Sequence, residues 1–274
     1  MDMHDAQPLE LSALEEIPGA TVYATPNLEP VSPATFSRDI TFFVACYNEE
    51  GEIIATFGEI GKAMARFDWS WEIIVIDDGS TDRSVPLVKQ YMAEHPELPM
   101  MLVVLPENRG LGQNYIEAAF LGRGKYFKLV CGDNVDDSEQ LASILCHIGE
   151  ADMLLPFHVH TQNRTVFRRV VSNLYTHIVN LISSYRLKYY NGCGVHLRYN
   201  VLRWNANCYG FDFQADLVTR LLAQGKTYLE IPTVAGERAF GQSKALTRKN
   251  LTSAVQFFLA LFIRRVTEKR PAGR

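Results

Sequence analysis

Short runs of apolar residues alternate along the chain with stretches whose apolar residues recur at helical spacing. The apolar runs predict strands over residues 40–46, 71–76, 100–105, 126–130 and 152–155. The periodic stretches between them predict helices near residues 53–64, 82–95, 114–121 and 138–147, the last with Ser138 as its N-cap. This alternation indicates an α/β fold, in which helices cover both faces of a mostly parallel central sheet.

The second half of the chain is less regular. We expect helices over residues 166–185 and 211–223, the second ended by Gly225, and a strand over residues 227–231 that Pro232 stops. A final amphipathic helix is predicted to begin near residue 247.

The N-terminal residues differ from the rest in composition. Residues 1–38 are rich in proline and acidic side chains and show no period, which predicts a mostly disordered tail. The expected organisation is therefore this tail, one α/β domain over residues 39–246 and a C-terminal amphipathic helix over residues 247–274.

Composition and charge exclude several classes of protein. The chain has 274 residues, of which 47% are hydrophobic and 21% charged, as is typical of a folded globular protein. A formal net charge of -4 argues against binding to nucleic acid. The five cysteines include no CxxC pair, which indicates reduced thiols. Because the first residues lack a signal-peptide pattern and no apolar run approaches the roughly 20 residues of a membrane span, we expect a cytoplasmic protein.

Clusters of polar residues follow four of the predicted strands, at residues 47–50, 77–82, 108–114 and 132–137. Each cluster alone could be ordinary turn and helix-cap chemistry. Ligands of open parallel sheets, however, bind beyond the carboxyl ends of the strands. Four clusters in succession at one sheet edge therefore favour a binding site.

These clusters carry a resemblance to a known family. The motifs ACYNEE, VIDDGSTD, ENRGLGQN and CGDNVDD, in this order, resemble the inverting glycosyltransferases of family two, whose fold is the Rossmann-like GT-A fold. Three later segments are similar to the branch that makes polyprenyl- and dolichyl-phosphate sugars: NGCGVHLR (191–198), GFDFQADLVTRLLAQGKTYLEIP (210–232) and ERAFGQSK (237–244). The N-terminal tail lies outside the resemblance.

The resemblance implies a donor that is a nucleotide diphosphate sugar, linked to UDP or GDP. It places Tyr47 and Glu49 against the base or ribose and makes Asp77 the carboxylate that accepts a hydrogen bond from the base, with Asp78 supporting the loop. A carboxylate can accept from the imide N–H of uracil or from the N–H groups of guanine.

Gly110 and Gly112 belong to the same implied donor site. Glycines permit a tight turn and a close approach of the ligand to the backbone. A plain turn into a helix would explain the same two glycines.

The metal position departs from the family pattern. Relatives usually have Asp-x-Asp where this chain has Gly132, Asp133 and Asn134, with Asp136 two residues further on. Asp133, Asn134 and Asp136 can still offer oxygen ligands to a divalent cation, Mg²⁺ or Mn²⁺. The amide of Asn134 should weaken the metal affinity, and we expect Gly132→Asp with Asn134→Asp to restore it.

The remaining implied residues serve the transfer itself. Asp212 stands where the family has an acidic residue near the acceptor, as a general base or, for a phosphate acceptor, as a positioning group. Asp216 follows one helical turn later and could share its face. Asp212 could instead be a plain carboxylate that suits the dipole at a helix N-terminus. Arg238 and Lys244, with Ser243 between them, would lie near the diphosphate of the donor, unless they form a plain basic turn.

The final helix could lie on a membrane surface. Its apolar positions form a stripe made of Leu251, Val255, Phe258, Leu259, Phe262 and Val266. Cationic residues cluster at its two ends, namely Arg248, Lys249, Arg264, Arg265, Lys269 and Arg270. Such a helix could meet anionic lipid on the cytoplasmic face of a membrane. Alternatively, it could dock on the protein's own core or on a second copy.

We therefore expect a glycosyltransferase whose partners are a nucleotide diphosphate sugar, a lipid phosphate or other acceptor, and a membrane surface. Two alternatives remain. The Gly132-Asp133-Asn134 triplet would suit a catalytically silent subunit that binds nucleotide sugars. A nucleotidyltransferase could use a similar sheet, but a glycine-rich loop followed by lysine is missing after the first predicted strand.

Overall fold

The computed structural model describes residues 19–25, 36–160, 166–204, 212–234 and 248–267. The chain divides into two compact units, residues 1–142 and 143–274, and each is described by itself. The predicted α/β fold is confirmed, since strands and helices alternate through the chain.

The sheet of the first unit consists of β1 (Thr21–Ala24), β2 (Arg38–Cys46), β3 (Trp71–Asp77), β4 (Met100–Val104) and β5 (Gly124–Cys131). Its strand order is β1-β4-β3-β2-β5. The strands β2 to β5 run parallel to their neighbours, and only β1 is antiparallel. Because β2 to β5 run in the same direction, their carboxyl ends lie at one edge of the sheet.

Helices α1 (Ile53–Met64), α2 (Ser84–Glu94) and α3 (Leu111–Leu121) connect these parallel strands, and α4 (Ser138–Leu145) follows β5. The central strands are buried along most of their length, which explains their continuous apolar runs. Phe43 of β2 stacks on Phe127 of β5, and Tyr115 of α3 meets the edge of the same ring cluster. This aromatic packing fixes α3 against the sheet.

The second unit contains β6 (Met153–His160), β7 (Val195–Leu197) and β8 (Tyr228–Val234), with β6 parallel to β8 and antiparallel to β7. Its helices are α5 (Val166–Ser183), α6 (Arg198–Leu202), α7 (Phe213–Ala223) and α8 (Arg248–Thr267). The helices α5 and α8 pack together through Tyr175, Phe257 and Phe258. Within the described ranges, no helix combines the length and hydropathy needed to cross a bilayer.

The structure differs from the predictions at two strands, β1 and β8, because pairing with a neighbouring strand overrides the local sequence preference. Part of the predicted disordered tail forms β1, which pairs with β4 and is followed by a hydrogen bond from Thr25 Oγ1 to the Leu98 carbonyl at 2.8 Å. Strand β8 continues through Pro232 to Val234. Proline is tolerated there because, among the described strands, β8 is the last of the order and pairs only with β6.

The predicted N-cap of α4 is also wrong by one residue. Asp137, and not Ser138, caps the helix, because its Oδ1 accepts a hydrogen bond from the Gln140 amide at 2.8 Å. The Ser138 amide instead donates to Glu59 Oε2 of α1 at 2.8 Å. The cap and this second contact fix the start of α4 after the loop that follows β5.

Candidate functional site

The loops that follow β2 and β3 are joined to each other by hydrogen bonds between backbone and side chains. The Asn48 amide donates to Ser80 Oγ, and the Thr81 amide donates back to Asn48 Oδ1, both at 2.8 Å. The Glu50 amide donates to Asp82 Oδ2 at 3.0 Å. Asn48 takes a left-handed conformation with φ of 58°, which asparagine tolerates better than most residues. The two loops therefore hold each other in one arrangement.

Two further bonds extend this pairing into α2. The Glu49 amide donates to Ser84 Oγ at 2.9 Å, and the Arg83 amide donates to Glu50 Oε2 at 3.0 Å. In the sequence, Glu50 and Ser80 stood out only as members of polar clusters, and Ser84 only as part of a predicted helix. All three accept hydrogen bonds from loop amides, and the one signal in the sequence was that their side chains carry oxygen acceptors.

Asp77 and Asp78 follow β3 directly and have different environments. Asp77 is 1% exposed, and its Oδ2 accepts a hydrogen bond from the Ser80 amide at 3.0 Å. Among the described residues, no donor reaches Asp77 Oδ1. Asp78 accepts from two amides of the next loop, Arg109 at 2.7 Å and Gly110 at 3.1 Å. Asp78 thus fixes the third loop, whereas Asp77 keeps one acceptor oxygen for another partner.

The glycines of the third loop lie where α3 begins. Gly110 precedes the helix with φ of 95°, a conformation that favours glycine, and Gly112 is buried in the first turn.

Cys46, at the end of β2, is buried near Asp77. Burial, followed by the charge of Asp77, raises the pKa of the Cys46 thiol, so this cysteine is not suited to act as a nucleophile.

The fourth loop follows β5 and carries the candidate metal ligands. Asp133 is 4% exposed. Asn134 has φ of 54°, and its buried Oδ1 accepts no hydrogen bond from the described residues. Asp136 Oδ1 accepts from Gln140 Nε2 at 2.5 Å. No group of three histidine, cysteine or acidic side chains in the described ranges could hold a metal ion alone. A cation here would therefore need ligands from its substrate as well.

Gly132 lies close to its neighbours, which would crowd a side chain at this position. A Cβ atom at this position would lie 2.9 Å from the carbonyl oxygen of Ala45 and 3.0 Å from Ile53 Cδ1. Because the Ala45 carbonyl belongs to the backbone of β2, a side chain at Gly132 would require a shift of the backbone. This contact opposes the expectation that Gly132→Asp with Asn134→Asp restores the metal affinity, and that expectation stays a prediction. Glu49 Cγ lies 3.4 Å from the same point, so the first loop also borders the fourth.

In the second unit, Asp212 lies directly before α7 and is 4% exposed. Its carboxyl group is near the hydroxyls of Tyr175 on α5 and Ser253 on α8, and burial raises its pKa above the ordinary value. No described donor bonds to its Oδ2. A buried carboxyl group of raised pKa is suited to take up a proton.

Asp216 has a different environment from Asp212. Its carboxylate accepts hydrogen bonds from Trp204 Nε1, Arg220 Nε and Arg264 Nη1, each at 2.8 Å. Through Arg264, Asp216 anchors α8 to α7. The contact also corrects the expectation for Arg264, whose side chain is directed to the interior of the unit and not to a lipid surface.

Three of the predicted site residues, Arg238, Ser243 and Lys244, lie outside the described residues. Two other predicted residues are described. Tyr47 is partly exposed at the end of β2, and Arg265 Nη2 donates to Ser184 Oγ at 3.2 Å. The structure therefore brings together the first-unit candidates at one sheet edge, and it places Asp212 within the second unit.

Comparison with known proteins gives one family match. The sequence profile described as Glycosyl transferase family 2 matches residues 41–207, which include the four loops after β2 to β5.

Curated relatives are similar to much of the chain at low identity. A dodecaprenyl-phosphate galacturonate synthase of Rhizobium johnstonii is 22% identical over 203 residues, which is 73% of this chain and 55% of that protein. A dolichyl-phosphate beta-glucosyltransferase of Trichomonas vaginalis is 25% identical over 253 residues, 85% of this chain and 71% of that protein. The chain thus spans little more than half the length of the Rhizobium relative.

Solved structures share the fold. A mannosyltransferase of Pyrobaculum calidifontis, in complex with GDP-Man and Mn²⁺, superposes with a TM-score of 0.61 at 18% identity, covering 89% of this chain and 68% of its own. Glucosyl-3-phosphoglycerate synthase of Mycobacterium tuberculosis, with Mn²⁺, UDP and phosphoglyceric acid, has a TM-score of 0.60 at 13% identity, covering 86% and 81%.

The raised pKa of Asp212 predicts a pH-dependent stability difference. Its contribution to stability is fully present below the ordinary value of 3.8 and is lost as the pH rises through the higher pKa of the folded state. Asp212→Asn stays neutral, so its unfolding free energy should gain on that of the wild type as the pH rises from 4 to 8. Urea unfolding across this range measures the difference. The control Asp68→Asn removes an exposed carboxylate. If the unfolding free energy of Asp212→Asn, relative to the wild type, does not increase from pH 4 to 8, the raised pKa of Asp212 is contradicted.

Proposed function

We propose that this chain, which belongs to glycosyl transferase family 2, transfers a sugar from a nucleotide diphosphate donor, with inversion, to a polyprenyl phosphate or related acceptor. The family match and the names of the curated relatives support the reaction class and the lipid acceptor. The observation that carries the proposal is the buried Asp77, with one acceptor oxygen unused by the described residues at the carboxyl edge of a parallel sheet.

The donor would bind across the loops of the first unit. Asp77 Oδ1 would accept an N–H of the base, with UDP and GDP donors both compatible with a carboxylate acceptor. Tyr47 and Glu49 would contact the base or ribose. Asp78 holds Gly110 in place, so the backbone there can approach the diphosphate closely. Since the loops are already bonded to each other, little ordering would be needed when the donor binds.

A divalent cation, Mg²⁺ or Mn²⁺, fits the fourth loop as a shared site. Asn134 offers a buried oxygen without a described donor, and Asp133 and Asp136 offer carboxylates on the same short loop. These hard oxygen ligands suit either cation. When bound, the cation would neutralise the charge of the diphosphate as the bond to the sugar breaks.

Asp212 would serve the acceptor. A hydroxyl acceptor would lose its proton to this carboxylate, whereas a phosphate acceptor is already anionic and would only be positioned by it. Arg238 and Lys244 would stabilise the departing nucleoside diphosphate.

A membrane surface would be met by helices α5 and α8. On α8, Phe257 and Leu261 are buried, while Val255, Leu259 and Phe262 on other faces are more than half exposed. On α5, Val170 and Leu174 are also more than half exposed. Apolar side chains on two packed helices form a surface that could insert among the headgroups at the cytoplasmic face of a membrane.

Asp77→Asn tests the donor site. It replaces an acceptor oxygen with a donor that repels the base N–H, so affinity for UDP or GDP should fall at least tenfold, about 1.4 kcal/mol. Calorimetry on the wild type, Asp77→Asn and the exposed control Asp68→Asn measures this change.

The same three proteins, incubated with a panel of radiolabelled UDP- and GDP-sugars and a polyprenyl phosphate, test the reaction. The wild type and the control should form labelled lipid of inverted anomeric configuration, and Asp77→Asn should lose most of it. Donor binding without transfer or hydrolysis would favour the silent subunit. Unchanged nucleotide affinity in Asp77→Asn would exclude the assigned role.

Asn134→Asp tests the cation site without relying on turnover. A carboxylate in place of the amide should tighten Mn²⁺ by about tenfold, because it adds a charge to a hard oxygen ligand. Calorimetric titration of Mn²⁺ with UDP or GDP present gives the affinity. Gln90→Glu adds the same charge on α2 and should leave the affinity unchanged. Equal Mn²⁺ affinity in Asn134→Asp and the wild type would remove the fourth loop from the cation site.

Liposome flotation tests the membrane surface. The wild type should float with vesicles that contain anionic lipid at low salt. The double variant Leu259→Glu and Phe262→Glu should remain at the bottom of the gradient, because charged side chains cannot insert among the headgroups. Phe120→Glu, which alters an exposed phenylalanine of the first unit, is the control. A wild type that does not float would favour a soluble acceptor.

A further inference from the structure

Asp212 directly precedes α7, but its side chain does not cap that helix. The Asp212 carbonyl accepts a hydrogen bond from the Asp216 amide at 3.0 Å, whereas its carboxyl group bonds to no amide of the first turn. An aspartate at this position usually accepts from such an amide. Capping therefore does not explain why a carboxyl group is buried here at 4% exposure.

Two hydroxyl groups from neighbouring helices face the carboxyl group of Asp212. Burial has the largest effect on its pKa and raises it, while the hydroxyls of Ser253 on α8 and Tyr175 on α5 lower it. A hydroxyl group that donates to a carboxylate stabilises the charged form. Within the described part of the chain, no charged side chain contributes to this pKa. The two hydroxyls are therefore the side-chain groups that oppose the effect of burial.

Charged and titratable side chains of the same three helices do not replace these hydroxyls. Arg220 of α7 and Arg264 of α8 both donate to Asp216, at 2.8 Å. His177 of α5 is exposed. The environment of Asp212 thus differs from that of a carboxylate held in an ion pair.

Packing between α5 and α8 fixes the positions of both hydroxyls. The ring centre of Tyr175 lies 5.4 Å from that of Phe258 and 6.3 Å from that of Phe257, and its hydroxyl oxygen is buried. Ser253 precedes the buried Phe257 by one helical turn, so the two share a face of α8. The carboxyl group therefore has neighbours on packed helices, which is the support that a precisely placed group needs.

We infer that Tyr175 and Ser253 are positioning residues for the transfer, which hold the Asp212 carboxyl group in the place and charge state in which it serves the acceptor. The inference rests on the proposed function, because it needs Asp212 to meet the acceptor. Leu174 of α5 and Val255 of α8 are more than half exposed on the surface assigned to the membrane. A lipid acceptor bound there would reach the same two helices that carry the hydroxyls.

Urea unfolding tests the effect of the two hydroxyls on Asp212 without turnover. The unfolding free energy of Asp212→Asn relative to its parent is measured from pH 4 to 8 in the wild type, in Tyr175→Phe and in Ser253→Ala. The increase over this range should be larger in the two variants, because loss of a hydroxyl donor raises the pKa of Asp212 further. Ser253→Thr keeps a hydroxyl group and should show the wild-type increase. Tyr199→Phe, which alters an exposed tyrosine of the same unit, should show it as well.

Transfer kinetics on the same proteins test the positioning. Tyr175→Phe and Ser253→Ala should lower kcat about tenfold, because a misplaced group loses part of its contribution, while KM for the nucleotide sugar stays within about twofold. Ser253→Thr and Tyr199→Phe should keep the wild-type kcat. Thermal unfolding checks that each variant folds, and Tyr175→Phe keeps the ring that packs on α8.

The outcomes separate this inference from the proposed function. A wild type that transfers no sugar contradicts the proposed function and removes the inference with it. If the wild type is active, the inference requires both effects. A Tyr175→Phe or Ser253→Ala variant that keeps the wild-type kcat, or that shows the wild-type increase in the unfolding experiment, excludes that residue as a positioning residue, and the inference is overturned if both are excluded.

Discussion

The loops after β2, β3, β4 and β5 must satisfy their own backbone amides at the edge where the parallel ladders stop. Helices and strands satisfy these groups internally, but a loop needs side chains that accept hydrogen bonds. Asn48, Ser80 and Asp82 accept from amides of the neighbouring loop, and Asp78 accepts from two amides of the loop after β4. The arrangement of the candidate donor site depends on these hydrogen bonds between loops.

The same hydrogen bonds between loops explain why only some acceptors of a polar motif are available to a ligand. In VIDDGSTD, most of the acceptors are engaged by the protein itself, and Asp77 Oδ1 is the buried carboxylate oxygen that the described residues leave for a ligand. The fourth loop shows a similar limit, since Gly132 packs against the β2 backbone and a side chain there would require the backbone to shift. The oxygen groups that this loop could offer to a cation are therefore those of Asp133, Asn134 and Asp136.

Most of the fold was predictable because buried parallel strands and amphipathic helices leave strong periodic patterns. The sequence did not reveal β1, because four residues in a proline-rich tail become a strand only by pairing with β4. Helical spacing also could not show that Asp212 and Asp216 have different environments. The two share a helical spacing, but Asp216 is bound by Trp204, Arg220 and Arg264, and two of these partners lie on other elements. Such partners depend on tertiary structure, which spacing alone does not encode.

We infer that the bonded loops of the first unit form the nucleotide site. Hydrogen exchange with and without saturating UDP or GDP tests it most directly, because a bound ligand slows the opening of the amides that it covers. We predict slower exchange in the loops at residues 47–50, 77–84, 108–113 and 131–137, with the amides of the central strands unchanged. Nucleotide binding that leaves these four loops unprotected, or protects only residues elsewhere, would contradict it.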